Sequence, residues 1–351
     1  MAQSDDLEFH PQAFRVMFDD LVVSARAQAE VFLHSPGTIV VRERNGRGYW
    51  YWRSYAPDGR EQEQSLGPVG DAQASTRKDE IQARIALANQ LASDANSLRR
   101  QGYCSADNST AVTLAALYNA GVFRTGAMLV GTHAYGAILN VLGVKPRRNY
   151  ATEDIDVARY ARIELAVIPA GGLLEVLQRT GLPFVEVPEL DSRRPSTSFL
   201  RRGTRLKVDL LVPSSDAEYR SVRVPELKAH ATALPFLKFL LAEQLDSVVL
   251  SRDRVIPLKV PRPERYCVHK LVVSQLRAKT SAAKDEKDLE QAALLAEVLE
   301  GRFPGLVEEA ASGLNRAARK LAANASRIAA SRTERKLAKE AFLRIAGGRG
   351  A

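Results

Sequence analysis

The sequence predicts an α+β protein: a mixed-sheet core, a helical C-terminal region, and an N-terminal helix followed by a three-stranded antiparallel meander. Three observations predict it. Short strand-like runs alternate with short helical segments from Ala111 to about Pro213. The turn dipeptides Asn45-Gly46 and Asp58-Gly59 separate β-rich runs between 37 and 67. Three late segments, 262–278, 285–300 and 303–345, read as helices.

The first helix is expected from about Pro11 to Leu33, where Phe14, Met17, Phe18, Leu21 and Val22 recur at helical spacing and Pro11 suits the first turn. The meander follows, through Thr38–Val41, Tyr49–Trp52 and Gln62–Leu66, and stops at Gly67-Pro68. A long polar helix runs from about Asp71 to Gln101 and is closed by Gly102. The Gly/Ser/Asn/Asp-rich stretch 102–110 reads as a linker. After it come a helix (111–120), a strand (127–130), a helix opening at Gly131, and strands at 154–157, 184–187, 198–201 and 205–212; two short strands and the late helices complete the chain. This divides the 351 residues into an accessory module (1–104), a core (111–223) and a mostly helical region with a basic tail (224–351).

The net charge of +9 is concentrated: the segment from Ser312 to Ala351 carries +8 of it, leaving the rest of the chain nearly neutral. Such a tail points to a polyanionic partner. Cys104 and Cys267 stand alone, which excludes a disulfide scaffold and a cysteine zinc site. The acidic start reads as no signal peptide, and no apolar run reaches the length of a membrane span, so a reduced, cytoplasmic protein with no membrane partner is expected.

The chemistry-bearing residues lie in two neighbouring segments and a third farther on. Asp154 and Asp156 are spaced i, i+2 in an apolar strand, so both side chains emerge on one face. Like charges so placed repel unless a cation lies between them, and hard divalent cations favour such ligands. Asp209 sits in a further strand rich in Val and Leu. Upstream, a strand leads into Gly131-Thr132 and then a helix, which presents backbone N–H groups and a hydroxyl where phosphate binds. A phosphate cradle with three metal-type carboxylates points to chemistry on a nucleoside triphosphate.

With these residues the chain resembles the nucleotidyltransferase superfamily related to DNA polymerase β and kanamycin nucleotidyltransferase. The shared pattern is G-[ST], a helix, a D-x-D strand and a later strand acid, met here by Gly131-Thr132, Asp154-x-Asp156 and Asp209. Ser is usual where Thr132 stands, and Thr keeps the hydroxyl. A second resemblance, to nucleotidyltransferase-like proteins grouped with abortive-infection and toxin–antitoxin enzymes, rests on His269-Lys270-Leu271 and Lys287-Asp288-Leu289. The likeness spans about 111–300.

The resemblance implies that Asp154 and Asp156 ligate two Mg²⁺ ions (Mn²⁺ being an alternative) and that Asp209 ligates the catalytic one while activating the acceptor hydroxyl. It implies that Lys270 steadies the triphosphate and that Asp288 orients Lys270 or ties its helix pair together. The expected reaction is transfer of NMP from an NTP to a hydroxyl, with an RNA such as a tRNA 3′ end the favoured acceptor and a protein hydroxyl second. An antitoxin partner comes with the second resemblance. A non-catalytic nucleic-acid or nucleotide-binding protein on the same scaffold is the competing reading, and a small-molecule acceptor such as an aminoglycoside a third.

Other residues carry structural readings beside functional ones. Glu153 is expected to face away from the aspartate pair, and His133 to be packed or at the solvent edge. Lys270 also reads as an ordinary amphipathic-helix lysine, and Asp288 as part of a solvated charged stretch. One of the two faces of Tyr49–Trp52 should pack on a helix; the other, flanked by Arg42, Arg44, Arg47 and Arg53, has the composition to stack on bases. Arg193, Arg194, Arg201, Arg202 and Arg205 are candidates for contacting triphosphate or acceptor.

Overall fold

The computed structural model describes residues 7–56, 59–146, 152–163, 170–189, 194–214, 220–277 and 282–347; Asp58, Arg193 and Arg349 fall outside them. The chain opens with α1 (Gln12–Ala25), which buries Phe18 and Leu21, and then the meander β1 (Thr38–Arg44), β2 (Arg47–Tyr55) and β3 (Glu61–Pro68). Asn45 and Gly46 turn β1 into β2 with φ of 51° and 70°, the left-handed pair that a two-residue hairpin needs. The long helix α2 (Ala72–Arg100) starts on a cap, Asp71 accepting from the Ala74 amide at 2.7 Å. It covers one face of the meander, where Leu66 and Ala74 are buried together.

The expected helix to Leu33 stops at Ala25 instead. The following segment is tied to α3 (Asn108–Asn119): the Asn119 side chain bonds both the amide and the carbonyl of Val31, and the Tyr118 hydroxyl donates to the Gln28 carbonyl. Tertiary hydrogen bonds to α3 take the place of continued helix beyond Ala25.

The central sheet is mixed, with the order β4–β5–β8–β10–β9. These strands are β4 (Ala127–Val130), β5 (Asp154–Arg159), β8 (Lys207–Ser214), β9 (Arg220–Val224) and β10 (Ala229–Pro235); β6 (Phe184–Glu186) and β7 (Ser198–Arg201) extend it beside β8. β5 and β8 run parallel, while β4 is antiparallel to β5. Both central strands alternate: Ile155 and Val157, like Val208, Leu210 and Val212, are buried, and Asp154, Asp156, Lys207 and Asp209 point to the opposite side. Three strands rather than the expected two follow residue 224, since β10 joins the sheet beside β8 ahead of the hairpin β11 (Gln244–Leu250) and β12 (Val255–Pro261).

Helices α4 (Gly131–Val141), α5 (Gly172–Gln178) and α6 (Leu237–Leu240) connect the strands, and α7 (Pro263–Arg277) pairs with α8 (Ala282–Arg302). The expected final helix is three: α9 (Leu306–Ser312), α10 (Arg316–Arg332) and α11 (Lys336–Ala346). The break before α10 is chemical, because Asn315 caps the new helix by accepting from the Ala318 amide at 2.9 Å. The basic tail is thus folded onto the protein: α10 and α11 bury most of their alanines, with Phe342 and Ile345, against α7 and α8, and turn Arg316, Arg319, Lys320 and Arg327 outward. Among the described residues, no helix is long and apolar enough to cross a membrane.

Candidate active site

The sheet register brings the acids together. Asp156 on β5 lies directly opposite Asp209 on β8, and Asp154 lies opposite Lys207. Because side chains alternate with period two, all four share one face. β4 ends at Val130, opposite Asp156, so the next residue, Gly131, arrives beside the Asp156 carboxylate. Gly131 has φ +69°, and a Cβ there would stand 2.0 Å from Asp156 Oδ2. The glycine therefore serves the carboxylate as well as opening the helix.

Asp156 is enclosed. Burial, with the charges of Asp209 and Asp154 behind it, raises its pKa to about 6 against the partial relief of Lys207 and Lys270. Asp209 is held on both oxygens: Lys207 Nζ lies 2.8 Å from Oδ2, and the Ser198 hydroxyl donates to Oδ1 from the neighbouring strand. Asp154 is exposed at the mouth. Among the described residues no three His, Cys, Asp or Glu side chains converge on one point as a ready-made metal cage. Their chemistry nonetheless fits a divalent cation: three carboxylates from two neighbouring strands share one sheet face, and burial together with the charges of Asp209 and Asp154 disfavours the ionised form of Asp156.

α4 begins without a side-chain cap, so its first amides are free of that partner, and Thr132 lies in its first turn. Lys287 of α8 donates to Thr132 Oγ1 at 3.3 Å. Lys270 and Asp288 form a buried pair, Nζ to Oδ1 at 2.6 Å, joining α7 to α8. Tyr266, one turn before Lys270 on α7, donates its hydroxyl to the Gly131 carbonyl at 2.8 Å, and the Lys270 ammonium lies 5.3 Å from its ring centre. The structure thus connects Gly131, Thr132, Asp154, Asp156 and Asp209 on the sheet side with Lys270 and Asp288 on the helix side, through Tyr266 and Lys287. Asp288 is buried rather than on a solvated face.

A cleft of about 970 Å³ opens beside this cluster, lined by Thr132 and Asp154 and by residues of the Gly/Ser/Asn/Asp-rich stretch between Gly102 and Thr110. Arg201 and Arg205 line it, Arg201 donating to Ser109 Oγ at 2.6 Å. His133 lines it too, half-buried; desolvation lowers its pKa to about 4, so it is neutral, and its Nε2 has no partner among the described residues. Glu153, expected to face away, is exposed at the cleft wall just before β5 begins. Cys104 also borders the cleft, but burial pushes its thiol up to about 12, which removes it as a nucleophile.

Sequence reading passed over Lys207, Ser198 and Tyr266. Lys207 carried a signal, its i, i+2 spacing from Asp209; Ser198 and Tyr266 had none, since strand pairing and helix docking place them. In the meander the tryptophans form the covered face: Trp52 Nε1 donates to the Pro36 carbonyl at 2.8 Å, and Lys78 of α2 lies over Trp50. On the tyrosine face Arg42 and Arg53 are both bonded to Glu63, which offsets their charge.

Compared with known families, residues 108–314 match the model of a family described as Nucleotidyltransferase, a match spanning more than half of the chain. No curated protein and no solved structure matches the chain.

Proposed function

Since the chain belongs to this nucleotidyltransferase family, and so is a transferase of phosphorus-containing groups, we propose that it moves NMP from an NTP to a hydroxyl of an RNA, releasing pyrophosphate. The observation that carries the reading is the in-register pair Asp156–Asp209 beside the uncapped start of α4. Asp154, Asp156 and Asp209 would hold Mg²⁺, two ions or their Mn²⁺ equivalents, which when bound supply Lewis-acid stabilisation of the charge on the transferring phosphoryl group.

This chain's own groups do the rest. The α4 amides, Thr132 and Lys287 receive phosphate oxygens. Lys270, steered by Asp288, faces the charge that grows on the leaving pyrophosphate. Asp209 accepts the proton of the acceptor hydroxyl, and its bond from Ser198 holds it toward the sheet face. An RNA acceptor is supported by Arg201 and Arg205 in the cleft wall and by the outward Arg316, Arg319, Lys320 and Arg327 of α10. A tRNA 3′ end is the first candidate and a protein hydroxyl the second. An antitoxin partner is proposed from the resemblance to toxin–antitoxin enzymes.

Incubation with labelled NTPs, Mg²⁺ and total RNA or protein tests the reading. Label should enter RNA with wild type and fail to do so with Asp156→Asn. Transfer unaffected by that change would sink the assignment of the site. RNA binding that survives replacement of all three aspartates, with no transfer by wild type, would instead favour a binding protein on the same scaffold.

A further inference from the structure

Lys207 stands beside the acids, and the proposed transfer leaves it without a task. It precedes Asp209 by two residues, so both stand on the same face of β8, and its partner across the register is Asp154. Its ammonium lies 2.8 Å from Asp209 Oδ2 while Ser198 takes the other oxygen. Both oxygens of the strand acid are therefore engaged by the chain itself.

A lysine ammonium is a compact, strongly hydrated point charge on a flexible stem. Here the Lys207 side chain keeps 35% of its surface exposed and that of Asp209 18%, so the pair stands at the rim of the site rather than in the core. Lys270 differs: it is buried and tied to Asp288, which is 2% exposed. Of the two lysines that relieve Asp156, only Lys207 sits at the solvent margin.

We infer that Lys207 is an internal placeholder for a divalent cation, ion-paired to Asp209 in the metal-free protein and released from it when a cation enters. This rests on the divalent-metal reading of the three aspartates. The placeholder keeps the carboxylates from repelling one another in the absence of metal, and it competes with metal for Asp209. Free metal then binds more weakly than to an unguarded set of aspartates.

Amine acetylation of the purified full chain, read at Lys207 by mass spectrometry with and without Mn²⁺ alone, tests the release. An ion-paired ammonium reacts slowly, so labelling should rise several-fold as Mn²⁺ saturates the wild type, and should already be high without metal in Asp209→Asn. Mn²⁺ binding measured by electron paramagnetic resonance should be on the order of tenfold tighter in Lys207→Met, the size expected for losing one charged hydrogen bond as competitor. Labelling that stays constant through Mn²⁺ saturation, or unchanged or weaker Mn²⁺ binding by Lys207→Met, overturns the inference. Absence of saturable Mn²⁺ binding by the wild type, with Asp154→Asn behaving identically, removes the metal reading and the inference with it.

Discussion

A Cβ on Gly131 would stand 2.0 Å from Oδ2 of Asp156, so the glycine and the carboxylate share one space. Two demands meet at this position: a left-handed backbone, φ +69°, to turn β4 into α4, and room for an acid on the adjacent strand. Gly131→Ala should therefore cost about 1–3 kcal/mol in a chemical-denaturation experiment and reduce transfer more than a hundredfold, with the circular dichroism of the folded protein unchanged. A variant that keeps wild-type turnover would show that the Asp156 carboxylate tolerates displacement.

The Lys270–Asp288 pair separates stability from chemistry. Removing one member leaves a buried charge, so Asp288→Ala should lose about 3–5 kcal/mol. The double change Lys270→Met with Asp288→Leu should recover most of that loss in a melting experiment and still transfer no nucleotide. Recovered activity in the double variant would reduce the pair to a structural tie between α7 and α8.

Thr132 and Lys287 share one hydrogen bond and should act on the same phosphate oxygens. Thr132→Val and Lys287→Met should each raise KM for the NTP, about tenfold for a charged hydrogen bond. The double variant should cost less than the product of the two, as expected for groups that touch. Thr132→Ser should remain close to wild type.

His10 supplies a pH signature away from the site. It is 1% exposed and stacked 3.7 Å from Tyr103. Burial, helped by the charge of Lys145, lowers its pKa to about 4 from 6.5. The unfolded chain therefore binds this proton first as pH falls, so the contribution is full above about 6.5 and is lost progressively down to about 4. Wild type should lose on the order of 3 kcal/mol over that window from this group, and His10→Phe, which keeps a ring on Tyr103, should show a correspondingly flatter profile of Tm against pH.

The outward basic stripe of α10 is a salt-dependent prediction. Replacing Arg316, Arg319, Lys320 and Arg327 by alanine should weaken RNA binding and flatten the dependence of log Kd on log salt, by roughly one unit for each phosphate that the protein no longer neutralises. The rate at saturating RNA should change little, because these four side chains face solvent, while it is the buried side of α10 that packs on α7, the helix carrying Lys270. An unchanged salt slope would dissociate the stripe from the acceptor.

Much of this molecule was legible along the chain because its signals are local. Asn45-Gly46 specified a hairpin through two positive φ values, and the period-two pattern of Asp154, Ile155 and Asp156 put two acids on one face. Asp209 was visible as a charge in an apolar strand. Helix ends were less legible: α1 stops at Ala25 because Asn119 and Tyr118 hold the next segment, and the final helical stretch breaks where Asn315 caps α10. The first cause lies about ninety residues away in sequence; the second is a local cap inside an alanine-rich run that reads as continuous helix.

Residue types and spacing were enough to name the acids and the Gly-Thr turn, since hydrogen-bonding capacity and side-chain period belong to the local sequence, whereas the lysine–aspartate helix pair came only with the family resemblance. Strand register was needed to set Asp156 against Asp209 and Asp154 against Lys207, and helix docking to bring Tyr266 and Lys287 onto Gly131 and Thr132. The difference is physical. Period and capping are decided within a few residues, whereas which strand lies beside which depends on burying the core on the far side of the sheet. That burial turned Lys207 from one charge in an apolar run into the ion-pair partner of a carboxylate cluster.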